Sequence, residues 1–200
     1  MNNFFLTGKK DAGKTTILKS LFTAADIVPG GYTTFRLLES KSGRPLLFQL
    51  KAAEFLLGGQ QLVEEIELSA DMKDLDDSAN YLQINKNHVF AERLDPYAEF
   101  NVYPEVFDNC GANFLNSSSD IILIDELGRF ELKAGRFKKE VFSLLESDKL
   151  VIGVIKAESN IFLDKIRARE DLKIFELKRD NRDKIYNKLL KVIRNYSKLI

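Results

Sequence analysis

Gly8-Lys9-Lys10-Asp11-Ala12-Gly13-Lys14-Thr15 has the spacing G-x-x-x-x-G-K-[ST]. In this pattern two glycines let a short loop wrap a phosphate with its amide N–H groups turned inward. Lys14 is placed to reach the β and γ phosphates and to neutralise charge as the terminal bond breaks. The Thr15 hydroxyl can take one position on Mg²⁺, and Thr16 is expected to touch the α-phosphate. Lys9, Lys10, Asp11 and Ala12 fill the loop between the glycines, so it carries two extra positive charges and one acidic side chain. A dinucleotide fingerprint would need G-x-G-x-x-G, and the missing middle glycine argues against that alternative. The second chemical pair is Asp125-Glu126, which closes the apolar run Ile121-Ile122-Leu123-Ile124 in the form of a Walker B element. Asp125 would hold the metal shell and help orient Thr15, and Glu126 would act as general base on water beside the γ-phosphate. Side chains alternate along a strand, so the two carboxylates are expected to address different atoms.

These residues need particular elements to hold them. Residues 3–7, with Phe4-Phe5-Leu6, read as a short buried strand, and Ile17, Leu18, Leu21 and Phe22 give one apolar helix face beginning at Lys14. The phosphate loop therefore sits between strand and helix. After Pro29-Gly30-Gly31, residues 32–38 and 45–50 flank Lys41-Ser42-Gly43-Arg44 as a strand pair with a polar turn. The β-branched run at 121–124 suits a strand buried on both faces of a parallel sheet. Phe137, Val141, Leu144 and Leu145 then predict a helix, and residues 151–155 another buried strand. Residues 173–177 read as a last strand. Asp180 is the expected N-cap of a closing helix that carries Ile185, Leu189, Val192, Ile193 and Tyr196 on one side. The alternation predicts an α/β three-layer sandwich with a mostly parallel central sheet, whose ligands gather where strands end and helices begin.

At 200 residues with 44% hydrophobic and 30% charged side chains, the chain has the composition of one compact domain spanning 1–200 and not of a disordered or fibrous protein. Residues of about 51–101 are the least regular and read as an insertion or flanking segment. Within them 64–77 concentrates acidic side chains, a solvated face being the plainer reading than a docking surface. Lys plus Arg and Asp plus Glu both number 30, which removes the bulk charge that nonspecific nucleic-acid binders carry. Cys110 is the only cysteine, which excludes an internal disulfide and fits a reducing cytoplasm. It reads as a buried or semi-buried thiol without an activating base. His88, alone in a polar stretch, reads as a surface residue. No secretory leader or membrane-length apolar run is evident.

The sequence resembles the nucleoside-triphosphatase family first described from thermophiles, also called cancer-related nucleoside-triphosphatases. The segments that carry the resemblance are FLTGKKDAGKTT at the start, GGYTT from Gly30, IILIDELGRFEL from Ile121, FKKEVFSLLES, VIGVIK from Val151 and RDNRDKIYNKL near the end. That family typically shows an Asp-Glu-Ile-Gly-x-Met-Glu-Leu block, which puts Asp125, Glu126, Gly128, Glu131 and Leu132 on matching positions. The resemblance implies a P-loop NTPase fold and hydrolysis of ATP, GTP and other triphosphates. Relatives usually carry Pro-Gly inside the loop, where this chain has none. They commonly end the strand after the second helix in His, at a γ-phosphate sensor position that Lys156 fills here. Asn181-Arg182 resembles an Asn-Arg pair before the last helix of relatives, which implies a place near the base or the mouth of the site.

For Mg²⁺-dependent hydrolysis of a nucleoside triphosphate, ATP or GTP or both, the roles of charge stabiliser, metal ligand and general base each have a residue. An arginine finger has three candidates, Arg129, Arg136 and Arg167, and can also come from a partner or a second copy. Two alternatives share the loop: a small-molecule or nucleotide kinase, for which no Arg-rich lid is evident, and a nucleotide-gated adaptor that binds a protein through its acidic middle or basic C-terminal helix.

Overall fold

The computed structural model describes residues 3–39, 45–58 and 85–198. The acidic stretch 64–77 and the turn at 41–44 lie outside the described residues. The chain opens with β1 (Asn3–Thr7), α1 (Lys14–Ala25), β2 (Gly30–Glu39) and β3 (Pro45–Ala52). Then come β4 (Val89–Glu92), β5 (Asn101–Val102), the short helices α2 (Pro104–Val106) and α3 (Ala112–Leu115) joined by a π turn, and β6 (Ile121–Leu127). The chain closes with α4 (Gly135–Glu146), β7 (Leu150–Ile155), α5 (Ile161–Arg167), β8 (Leu172–Glu176) and α6 (Arg182–Tyr196).

Among the described residues eight strands form one sheet in the order β5-β4-β3-β2-β6-β7-β1-β8. The pairs from β2 through β6, β7 and β1 to β8 are parallel, and β3, β4 and β5 add an antiparallel flank. Period-two alternation divides each central strand between two cores. Phe4, Leu6, Ile121, Leu123, Ile152 and Val154 face α1 and α6, while Phe5, Ile122, Ile124, Val151 and Ile155 face α2 to α5. The result is a three-layer α/β sandwich. α1 and α6 pack together through Ile17, Leu21, Ile185, Leu189 and Ile193, and the Arg194 guanidinium donates to the Ala24 carbonyl at 3.0 Å.

All strands of the parallel portion end on one edge, so the loops after β1, β6, β7 and β8 meet there. β2 is longer than its parallel neighbour needs. Only Gly30 to Thr33 pair with β6, and the rest of β2 runs on with β3 beyond that edge. Gly31 makes the close β2–β6 approach feasible, because its φ is +91° and a Cβ there would lie 2.0 Å from the Leu123 carbonyl oxygen.

Two local expectations are corrected. The N-cap of α6 is Asn181, not Asp180, and its side chain caps nothing: Oδ1 accepts from the Lys178 N–H and Nδ2 donates to the Glu176 carbonyl, both at 2.9 Å. His88 is half-buried instead of solvated, with its ring edge-on to Phe114 at 5.6 Å, and burial pushes its pKa down. Cys110 is semi-buried, as expected, and burial pushes its thiol pKa up.

Candidate active site

The loop after β1 turns on two residues that tolerate positive φ, Gly8 at +138° and Gly13 at +86°, and on Asp11 at +61°. Gly8 lies against the backbone of Leu177, whose N–H donates to the Thr7 carbonyl at 2.8 Å. Gly13 is the N-cap of α1, with no side chain closing that end, so the first-turn amides face the loop. The Lys14 ammonium donates to the carbonyls of Gly8 at 3.0 Å and Lys9 at 2.8 Å. The loop is thus held around its own lysine.

Asp125, at the end of β6, is 2% exposed. Its Oδ1 accepts from Thr15 Oγ1 at 3.3 Å and its Oδ2 from Thr33 Oγ1 at 3.0 Å. Thr33 stands beside Asp125 in the β2–β6 register, and only the sheet pairing reveals this partner. Burial pushes the Asp125 pKa up to about 6, against the pull of the Thr33 and Thr15 hydroxyls and of Lys14. Among the described residues no ion pair compensates this buried carboxylate. Hard oxygens of a hydroxyl and a carboxylate, with charge left over, suit a small divalent cation that also binds phosphate and water, so these residues fit Mg²⁺.

Glu126 turns elsewhere. The β6–β7 register slips between Ile124 and Leu127, and the Glu126 Oε1 forms an ion pair with Lys156 Nζ at 3.1 Å. That oxygen is shielded from solvent, and the contact with Lys156 lacks the alignment of a hydrogen bond. Tyr32, fully buried, donates its hydroxyl to the Glu126 carbonyl at 3.3 Å. Lys156 follows β7, its N–H donating to the Leu127 carbonyl at 2.9 Å, and its ammonium lies 5.4 Å from the Phe130 ring centre. The two carboxylates therefore address different partners, at a point where the period-two alternation of β6 is broken and Ile124 and Leu127 pack into the same core.

Glu131 was legible only as a position in a motif. It is 3% exposed, its Oε2 accepts from the Gly128 N–H at 2.9 Å, and burial pushes its pKa up to about 7. It braces the turn between Glu126 and the wall of the site. Arg182 lies over the phosphate loop, where a Cβ on Gly13 would be 2.2 Å from its Nη2. Asn181 pins the 176–181 turn beneath it. Of the three arginines considered as fingers, Arg136 is committed to the Asp108 carbonyl and Asn113. Arg167 clamps the Lys156 and Glu158 carbonyls and pairs with Asp164. Arg129 is exposed and lies over Phe130.

Gly8, Lys10, Asp11, Gly13, Lys14, Thr15, Thr16, Glu126 and Lys156 line one cleft of about 670 Å³. Its far wall is Thr34, Arg36, Phe48, Phe90 and Phe130, of which Arg36, Phe48 and Phe90 lie outside every sequence motif.

A phosphate loop between the first strand and helix of a largely parallel sheet, with a carboxylate pair on β6, separated from β1 by β7 alone, defines a P-loop nucleotide-binding fold. The chain belongs to the NTPase family, which it matches over residues 64–190. It is 27% identical over 190 residues to the nucleoside-triphosphatase THEP1 of Thermotoga maritima, covering 94% of each chain. It is 26% identical over 193 residues to the protein of that name from Natranaerobius thermophilus, covering 96% of each. The fold is similar to the crystal structure of THEP1 from Aquifex aeolicus, with a TM-score of 0.66 at 18% identity, covering 96% of this chain and 99% of that one. It is also similar to the solution structure of a human cancer-related nucleoside triphosphatase, with a TM-score of 0.63 at 18% identity and 98% of each chain covered.

Proposed function

We propose that the chain hydrolyses nucleoside triphosphates, ATP and GTP among them, to the diphosphate and phosphate, with Mg²⁺ held beside Thr15 and Asp125. The observation that carries this reading is the division of labour at the end of β6: Asp125 is buried against the two threonine hydroxyls, and Glu126 faces the open cleft beside Lys156. The cation would supply charge neutralisation on the β and γ oxygens. Lys14 leaves the Gly8 and Lys9 carbonyls, which are dipoles only, for phosphate oxygens that carry full charge. Thr16 and the first-turn amides of α1 take the inner phosphates, with Lys9, Lys10, Asp11 and Ala12 shaping the loop around them.

Glu126 receives the proton of a water molecule as its oxygen attacks the γ phosphorus. The bond to the β–γ bridging oxygen breaks, and that oxygen leaves with the electron pair on the diphosphate. Lys156 holds the Glu126 carboxylate until the γ-phosphate arrives and then shares its charge with it, which is how it would serve as a sensor. Arg182, over the loop, would guide the nucleoside end. With Arg136 and Arg167 spent on carbonyls, turnover should be slow. No described helix is long and apolar enough to cross a membrane, and a single unpaired cysteine suits a reducing cytoplasm.

The test is phosphate release from ATP and from GTP in Mg²⁺ and in excess EDTA. Release from both that stops in EDTA is expected. Absence of release, or release unaffected by EDTA, would refute the proposal.

A further inference from the structure

The triphosphate does not need the whole cleft. Read from Thr16 through Lys14 to Glu126, its phosphate chain points the γ end toward Glu126 and Lys156, and its nucleoside leaves in the other direction, past Arg182. Beyond the γ position the cleft continues to Arg36, Phe48, Phe90 and Phe130. This wall exists because β2 and β3 overhang the parallel sheet, past the last β2–β6 pair at Thr33 and Asp125.

The wall is built for a flat ring. Phe48 sits 5.9 Å from Phe90, 5.8 Å from Phe130 and 5.3 Å from Phe100 between ring centres. Phe90 is 2% exposed and forms a floor, while Phe48 and Phe130 are only partly buried and line the cleft. Arg36 is directly opposite Phe48 in the β2–β3 register, so both side chains project from the same face of the strand pair. Arg36 is exposed, and among the described residues it has no ion-pair partner. A guanidinium beside the partly exposed rings of Phe48 and Phe130 matches a phosphate attached to a base, since any base offers a π face and a guanidinium grips phosphate oxygens in pairs.

We propose that this part of the cleft is a second ligand site, for a nucleoside monophosphate, beside the γ-phosphate position. The proposal rests on reading Gly8 to Thr16 as the triphosphate site. A monophosphate seated there excludes water from the γ phosphorus, so phosphate release falls as the site fills.

Calorimetric titration of AMP, GMP, CMP and UMP into protein saturated with Mg·ADP tests it, with ribose 5-phosphate and adenosine as ring-less and charge-less controls. One monophosphate is expected to bind per chain, at least tenfold more tightly than either control, with an affinity independent of ADP concentration. Arg36→Ala, a change of an exposed side chain, and Phe48→Leu should each weaken it at least tenfold while the Mg·ADP affinity stays within twofold. Failure of all four monophosphates to bind the loaded protein, an affinity that falls as ADP rises, or equal binding by both variants would overturn the second site alone. Failure of Mg·ADP itself to bind would overturn the triphosphate site and this proposal with it.

Discussion

Replacing Glu131 with glutamine should remove a pH dependence of stability that the buried carboxyl imposes. Glu131 is 3% exposed, its carboxylate accepts from the Gly128 N–H, and burial raises its pKa from 4.5 to about 7. Its proton is therefore bound more tightly in the folded chain than in the unfolded one. Stability from this group is complete below pH 4.5 and is lost as pH rises to about 7. At 1.36 kcal/mol per pH unit the loss amounts to about 3 kcal/mol. Glutamine keeps the size and an oxygen for the Gly128 N–H but cannot ionise. The stability of the native protein minus that of Glu131→Gln should thus fall by about 3 kcal/mol between pH 4.5 and 7.5, or roughly 6–12 °C in melting temperature for a chain of this length. Urea unfolding of both proteins across that range measures it, and groups common to both, Asp125 included, cancel in the difference. A difference that stays constant with pH would refute the assignment of a buried, reluctantly ionised Glu131.

Other substitutions probe separate parts of the site. Lys14→Ala removes the amine now shared by the Gly8 and Lys9 carbonyls, and phosphate release should drop about a hundredfold or more while the thermal melt stays cooperative. Lys156→Ala deletes the 3.1 Å ion pair to Glu126; kcat should fall more than KM rises, and because the pair is partly exposed, denaturant stability should move by less than about 0.5 kcal/mol. Gly31→Ala must accommodate a Cβ 2.0 Å from the Leu123 carbonyl at a φ of +91°, so a loss of more than about 2 kcal/mol in urea unfolding is expected.

What was legible in the sequence was what is local. The spacing of Gly8, Gly13, Lys14 and Thr15, the run before Asp125 and the helical period after Lys14 each lie within one element, and the structure puts them where their spacing implies. Lateral neighbours were not legible. Thr33 reaches Asp125 through strand register, Glu126 meets Lys156 across two strands, and Phe48, Phe90 and Phe130 converge from three separate elements. β4 and β5, with four and two residues, are too short to show a period. α5 is different, because its signal was present: Asn160 accepts from the N–H groups of Phe162 and Leu163 as an N-cap. Asp180 misled because a cap can be chosen from residue type, whereas Asn181 spends its side chain on the preceding turn.

In the proposed reaction Glu126 takes the proton of the attacking water while Asp125, Thr15 and Lys14 hold the triphosphate. Single-turnover phosphate release by Glu126→Gln, at nucleotide concentrations shown to saturate both proteins, tests it most directly. Release should slow by about a hundredfold or more with nucleotide affinity unchanged within a few-fold. Release at the native rate from the saturated variant would exclude Glu126 as the base.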